Sequence, residues 1–137
     1  MECLIYNKVK QNVLTNTEIK WLVKNILTQF KSLNKTLSIQ FVGEKKIREL
    51  NKGYRGVDKV TDVLSFSLNG SDLGDIFICF SQIKKQAKIY ELAVREELVR
   101  MITHGVLHLL GFDHKKKTEE KRMFLAQRNR FFPMPDF

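Results

Sequence analysis

A chain of 137 residues, 43% of them hydrophobic, suits one core and is too short for two ordinary domains, so a single domain over residues 1–137 is expected. Lys and Arg number 24 against 15 Asp and Glu, and a charge of +9 in a small soluble protein points to a polyanionic partner, nucleic acid ahead of a membrane surface. Cys3-Leu4-Ile5-Tyr6 is too short for the core of a signal peptide and no apolar run spans a bilayer, so no membrane association is expected and the cytoplasm is the expected compartment.

Leu4-Ile5-Tyr6 begins the first expected strand. Cys3 and Cys79 lie far apart in apolar, strand-like runs, which predicts buried free thiols rather than a disulfide. Thr15-Asn16-Thr17-Glu18 reads as a capping box, in which the Thr hydroxyl and the Glu carboxylate each satisfy a backbone N–H at a helix start. The helix it opens carries Ile19, Leu22, Val23, Ile26, Leu27, Phe30 and Leu33 on one broad apolar face. Leu37, Ile39 and Phe41 alternate with Ser38 and Gln40 as a half-buried strand. A short helix with Ile47, Leu50 and Tyr54 on one side follows, then a loop from Arg55 to Thr61. Val63 to Leu68 and Asp75 to Phe80 predict two strands joined by the turn-rich Asn69-Gly70-Ser71-Asp72-Leu73-Gly74, the second apolar enough to be central. Asp62 and Asp75 are expected to make strand-end hydrogen bonds rather than bind metal. Ser81 is expected to cap a helix to about Leu92, and a largely buried helix runs from about Arg95 to Leu110. Thr118 caps a last helix to about Arg130, before a tail, Phe131-Phe132-Pro133, that packs on the body. This order predicts an α+β fold, a four-stranded mixed sheet packed with about five helices.

All three histidines fall between His104 and His114, in the pattern H-x-x-x-H-x-x-G-x-x-H. His104 and His108 project from one face of a helix on consecutive turns, within reach of one ion. Gly111 can take the positive φ that ends the helix and swings His114 back to the same ion. Three imidazoles suit one zinc ion per chain best, though they also accept other late transition metals, and leave its fourth position open, where zinc acidifies water and polarises a carbonyl or phosphoryl oxygen. The motif therefore points to hydrolysis. Asp113, beside a ligand, is a candidate general base or orienter of an imidazole, with a turn cap as the plain alternative. Glu97, two turns before His104, lines the cleft or pairs with a basic side chain. Lys115, Lys116 and Lys117, together with Lys52, Arg55 and Lys59 in the central loop, place positive charge near this motif, and Lys59 and Lys115 to Lys117 are the candidate substrate-binding lysines.

Three blocks, Tyr54-Arg55-Gly56-Val57-Asp58-Lys59-Val60-Thr61-Asp62-Val63-Leu64-Ser65-Phe66, Gly74-Asp75-Ile76 and the stretch from His104 to His114, together resemble the signatures of the bacterial YbeY family, in order and spacing, over nearly the whole chain. The resemblance implies a zincin-like fold and a zinc-dependent, single-strand-specific endoribonuclease. It further implies action on ribosomal RNA precursor at the 3′ end of small-subunit (16S) rRNA, a small ribosomal subunit partner, and a part in ribosome quality control. It places His104, His108 and His114 as zinc ligands and Arg55 as the functional arginine. Val60 and Ser67 stand where the family usually has proline, and Phe112 where it usually has tyrosine.

A metalloprotease shares the histidine spacing, but requires a glutamate directly after the first His, where this chain has Gly105. General-base catalysis typically contributes ~10²–10⁴-fold, so a protease built on this frame is badly handicapped. Cleavage of RNA can instead draw on the substrate's own 2′-OH and on a cation such as Arg55 that stabilises charge on phosphorus. A non-catalytic rRNA-binding assembly factor is the third class, disfavoured because structural zinc is usually closed by four protein ligands.

Overall fold

The polypeptide lays down β1 (Glu2–Asn7), α1 (Asn16–Gln29), β2 (Thr36–Val42), α2 (Glu44–Arg55), β3 (Val63–Ser67), β4 (Asp72–Cys79), α3 (Phe80–Ile89) and α4 (Val94–Leu109) in a computed structural model that describes residues 1–112. The helix expected from Thr118 and the aromatic tail lie outside the described residues. Spatial strand order is β1-β2-β4-β3, with β1 parallel to β2, β2 parallel to β4, and β3 antiparallel to β4. The class is therefore α+β with a four-stranded mixed sheet, and β4 is central as its apolar run predicts.

The capping box forms: the Glu18 N–H donates to Thr15 Oγ1 (3.1 Å) and the Thr15 N–H to Glu18 Oε1 (2.9 Å). The face of α1 from Ile19 to Leu27 is buried, but the helix stops at Gln29, and Lys31 at φ 53° turns the chain. Phe30 and Leu33, expected to extend that face, stay partly exposed for this reason. Near the other end, the Arg95 guanidinium pairs with Glu18 and donates to the Val13 carbonyl (2.9 Å), tying α4 to the start of α1. The hydrogen bond from Arg95 holds the Glu18 carboxyl below the usual carboxylate range.

Two elements start earlier than sequence signals suggest. The Leu68 N–H bonds to the Leu73 carbonyl (2.9 Å), so the β3–β4 connection tightens, and Asp72 to Gly74, read as turn, belong to β4. Helix α3 begins at Phe80 after an extended Cys79, without a side-chain cap; Ser81, the expected cap, donates its hydroxyl to Glu44 Oε1 instead (3.0 Å).

Strand alternation sends side chains to two cores. Leu37, Ile39, Phe41, Ile76 and Ile78 pack with Leu22 and Ile26 of α1, Ile83 of α3 and Ile102 and Val106 of α4. Val42, Leu64 and Cys79, facing the other way, meet Ile47 of α2. Cys3 and Cys79 are both free and buried, and burial pushes the Cys3 thiol up to about 11. Tyr54 departs from expectation. It continues the line of Ile47 and Leu50, yet is 72% exposed, because among the described residues no strand lies beyond β3 for the end of α2 to cover.

Candidate functional site

Helix α4 supplies one wall of a cleft of about 520 Å³. Met101, His104 and His108 recur at helical spacing along it, and Arg55 and Asn51 face it from α2. Lys59 and Asp62 come from the intervening loop, and Leu64 and Ser65 from β3, an edge strand. Sequence positions separated by about fifty residues thus meet here because β3 sits between α2 and α4.

The rings of His104 and His108 have centroids 6.3 Å apart and planes inclined by 36°. Two imidazoles on successive turns, opening on one cleft, are a donor set that fits zinc. Among the described residues, no three His, Cys, Asp or Glu side chains form a metal-binding group. His114, the third expected ligand, lies outside the described residues, as do Asp113, Lys115, Lys116 and Lys117. What leads toward them is visible. Gly111 has φ 97°, its N–H bonds to the His108 carbonyl (3.0 Å), and the Phe112 N–H bonds to the Leu107 carbonyl (3.1 Å), the paired closure that ends a helix through a positive-φ residue. The ring of Phe112 then rests 4.9 Å from that of Phe30.

Gly105 is a close-approach position. A Cβ placed there would lie 2.9 Å from Ile76 Cγ2 and 3.3 Å from Ser65 Oγ, whose hydroxyl donates to the Gly105 carbonyl (3.3 Å). The residue that would be the glutamate of a metalloprotease therefore faces packed sheet.

Arg55 closes α2, and Gly56 at φ 69° turns the chain into the cleft loop. Asn51, buried, donates from Nδ2 to the Lys59 carbonyl (3.0 Å) and so holds that loop. Asp58 is taken by Arg48, 2.7 Å from its Nε, which lowers the Asp58 carboxyl below its ordinary value. Arg55 forms no ion pair among the described residues, and its exposed side chain lines the cleft beside Lys59. Lys52, expected near both, lines a neighbouring groove with Arg48 and Asp58 instead.

Asp62 begins the cleft's buried support. Its Oδ1 accepts from the Val63 N–H (2.7 Å) and the Thr61 hydroxyl (3.1 Å), the expected strand-end role. Its Oδ2 accepts from Gln86 (3.1 Å), whose amide also reaches Glu97 Oε2 (3.2 Å). Glu97 is fully buried and gripped by Arg100 at 2.5 and 3.0 Å, so of the two readings pairing holds and cleft lining does not. Asp75 is not at a strand end. Because β4 starts early, it lies within the strand and accepts from the Ser38 hydroxyl across it (2.5 Å). Sequence reasoning missed Asn51, Arg48 and Gln86; a polar Asn one turn after Ile47 on a buried helix face was the one available signal.

Fold and cleft together define a basic, histidine-walled α+β protein, equipped as a hydrolase for an anionic substrate. The family model described as Endoribonuclease YbeY matches residues 4–133, and the chain belongs to that family. It is similar to the endoribonuclease YbeY of a Sulfurihydrogenibium species, 36% identical over 94% of this chain and 89% of the relative. The protein of the same name from Acholeplasma laidlawii is 38% identical over 93% of this chain and 92% of its own. A Thermotoga maritima protein solved in solution superposes with a TM-score of 0.64 at 29% identity, over 96% of this chain and 87% of its own.

Proposed function

We propose that this protein is a zinc-dependent, single-strand-specific endoribonuclease of the cytoplasm that matures the 3′ end of small-subunit rRNA, acting on rRNA precursor with the small ribosomal subunit as partner, and serves ribosome quality control. The observation that carries the reading is that Arg55 and Lys59 open on the same cleft as His104 and His108, in a chain of the YbeY family. His104, His108 and His114 would hold one zinc ion, which supplies Lewis acidity toward a phosphoryl oxygen or water. Arg55 offers a planar fork of donors to two oxygens of the scissile phosphate as charge builds there. Lys59 and Lys115 to Lys117 hold the strand through neighbouring phosphates, and Asp113 is the candidate that accepts a proton. The orientation of Gly105 toward Ile76 leaves no room for the protease alternative's base.

Removing one such donor typically costs ~10²–10³-fold in rate, so Arg55→Ala is expected to lower single-turnover cleavage of single-stranded RNA by that order while zinc content and melting temperature stay unchanged. Arg55→Lys recovers only part, because a point charge cannot make the bidentate contact. His104→Ala and His108→Ala are expected to lose the metal by elemental analysis. Full cleavage by folded, metal-loaded Arg55→Ala removes Arg55 from the mechanism, and hydrolysis of casein but not RNA overturns the whole reading.

A further inference from the structure

Tyr54 is a large aromatic side chain left 72% exposed on a helix whose remaining apolar residues face the sheet. It is propped rather than loose. Its ring lies 4.8 Å from that of Phe66 at 56°, and Phe66 in turn meets Phe77 edge-on at 5.6 Å and 73°. Phe66 and Phe77 pack against the buried cluster of Val42, Ile47, Leu64 and Cys79, so the outer ring stands on an immobilised base. The exposed Tyr54 and the half-buried Phe66 are next in the chain to residues of the cleft: Arg55 follows Tyr54, and Leu64 and Ser65 precede Phe66. Two cations, Arg55 at the end of α2 and Lys59 in the loop beyond it, line that cleft.

A propped aromatic face beside a pair of cations is an arrangement that receives a nucleobase while its phosphates are held next door. We infer that Tyr54 is the stacking platform for one unpaired nucleobase of the RNA strand, flanking the phosphate that Arg55 engages. A paired base has no free face to offer it, so the contact selects single strands and sets KM rather than the chemical step. The plain alternative is that Tyr54 only covers Phe66. That role asks for apolar bulk and not for an aromatic plane.

This inference rests on the proposed action on RNA, and the test separates the two. Binding and single-turnover cleavage are measured on a short single-stranded RNA oligomer and on copies of it made abasic at one position at a time, with the wild-type protein, Tyr54→Phe and Tyr54→Leu. Stacking of one base is worth roughly five- to a hundredfold in Kd, so Tyr54→Leu is expected to weaken binding and raise KM by that factor with kcat kept. Tyr54→Phe should match wild type, and the Leu defect should vanish on the oligomer lacking the one stacked base. Should Tyr54→Leu unfold by thermal melting, Tyr54→Met serves the same comparison. Wild-type affinity in the Leu or Met variant, or an equal loss on every abasic oligomer, overturns the platform while leaving the endoribonuclease reading intact. A wild-type protein that neither binds nor cleaves the oligomer overturns both.

Discussion

At Gly105 one missing side chain decides how α4 lies. A single added methyl group would stand 2.9 Å from Ile76, within a buried interface of α4 with β3 and β4, so the sheet must shift or the helix must lift. Overpacking of this kind typically costs ~1–3 kcal/mol, and Gly105→Ala is expected to lower stability to chemical denaturant by that amount. Gly105→Glu, which restores the protease pattern on paper, drives a carboxylate into the same contact and should yield a poorly folded protein without activity on casein. A stable, casein-cleaving variant would show that the position opens on the cleft after all. Residues of this kind were legible where the signal was local. The spacing of His104 and His108 and the positive φ of Gly111 follow from helix geometry and can be read within a few residues. Asn51 offered only its place on a buried helix face and Gln86 offered no signal, because their partners, the Lys59 carbonyl and the carboxylates of Asp62 and Glu97, are set by how distant segments pack.

Among the elements, α4 carries a buried ion pair that the amide of Gln86 on α3 reaches, in a place where charge is expensive. Glu97 and Arg100 lie on α4, essentially without solvent, with Arg100 also 5.1 Å from the ring of Tyr90 and Gln86 of α3 bridging Glu97 to Asp62 at the cleft. Breaking such a pair by removing one member strands a buried charge and typically costs ~3–5 kcal/mol, whereas replacing both by apolar residues of similar volume is close to neutral. Arg100→Met is therefore expected to unfold at much lower denaturant than wild type, and Glu97→Leu combined with Arg100→Met to recover most of the loss. Equal instability of the single and double variants would mean that packing rather than charge carries the effect. The elements themselves were largely foreseen, since a capping box and periodicity mark α1 and an apolar run marks α4. Their edges were not. Ser81 turns to Glu44 and Asp72 joins β4 because tertiary partners outbid local turn and cap chemistry.

Taken as a molecule, the protein pairs four of its basic side chains internally and sets two others at the cleft. Arg48, Lys85, Arg95 and Arg100 are paired with Asp58, Glu44, Glu18 and Glu97, while Arg55 and Lys59 line the cleft. The sheet order that opens this cleft, with β3 at the edge, depends on long-range pairing, and no local pattern in the chain announces it. The class of fold was readable from the order of elements; the meeting of α2, the loop and α4 was not. An excess of +9 gathered partly in one groove has a consequence for RNA binding that sets it apart from a dispersed, solvated lysine surface. Each phosphate contact on a single strand contributes ~0.7 to the slope of log affinity against log salt, so binding should weaken steeply between about 50 and 200 mM salt. Lys59→Ala is expected to remove one such unit of slope and raise KM with kcat kept; Arg55→Ala is expected to remove a similar unit and lower kcat as well. Titrations of wild type and both variants at several salt concentrations distinguish a groove from a diffuse charge. If the wild-type slope is near zero, or is untouched by either substitution, the strand does not run through this cleft.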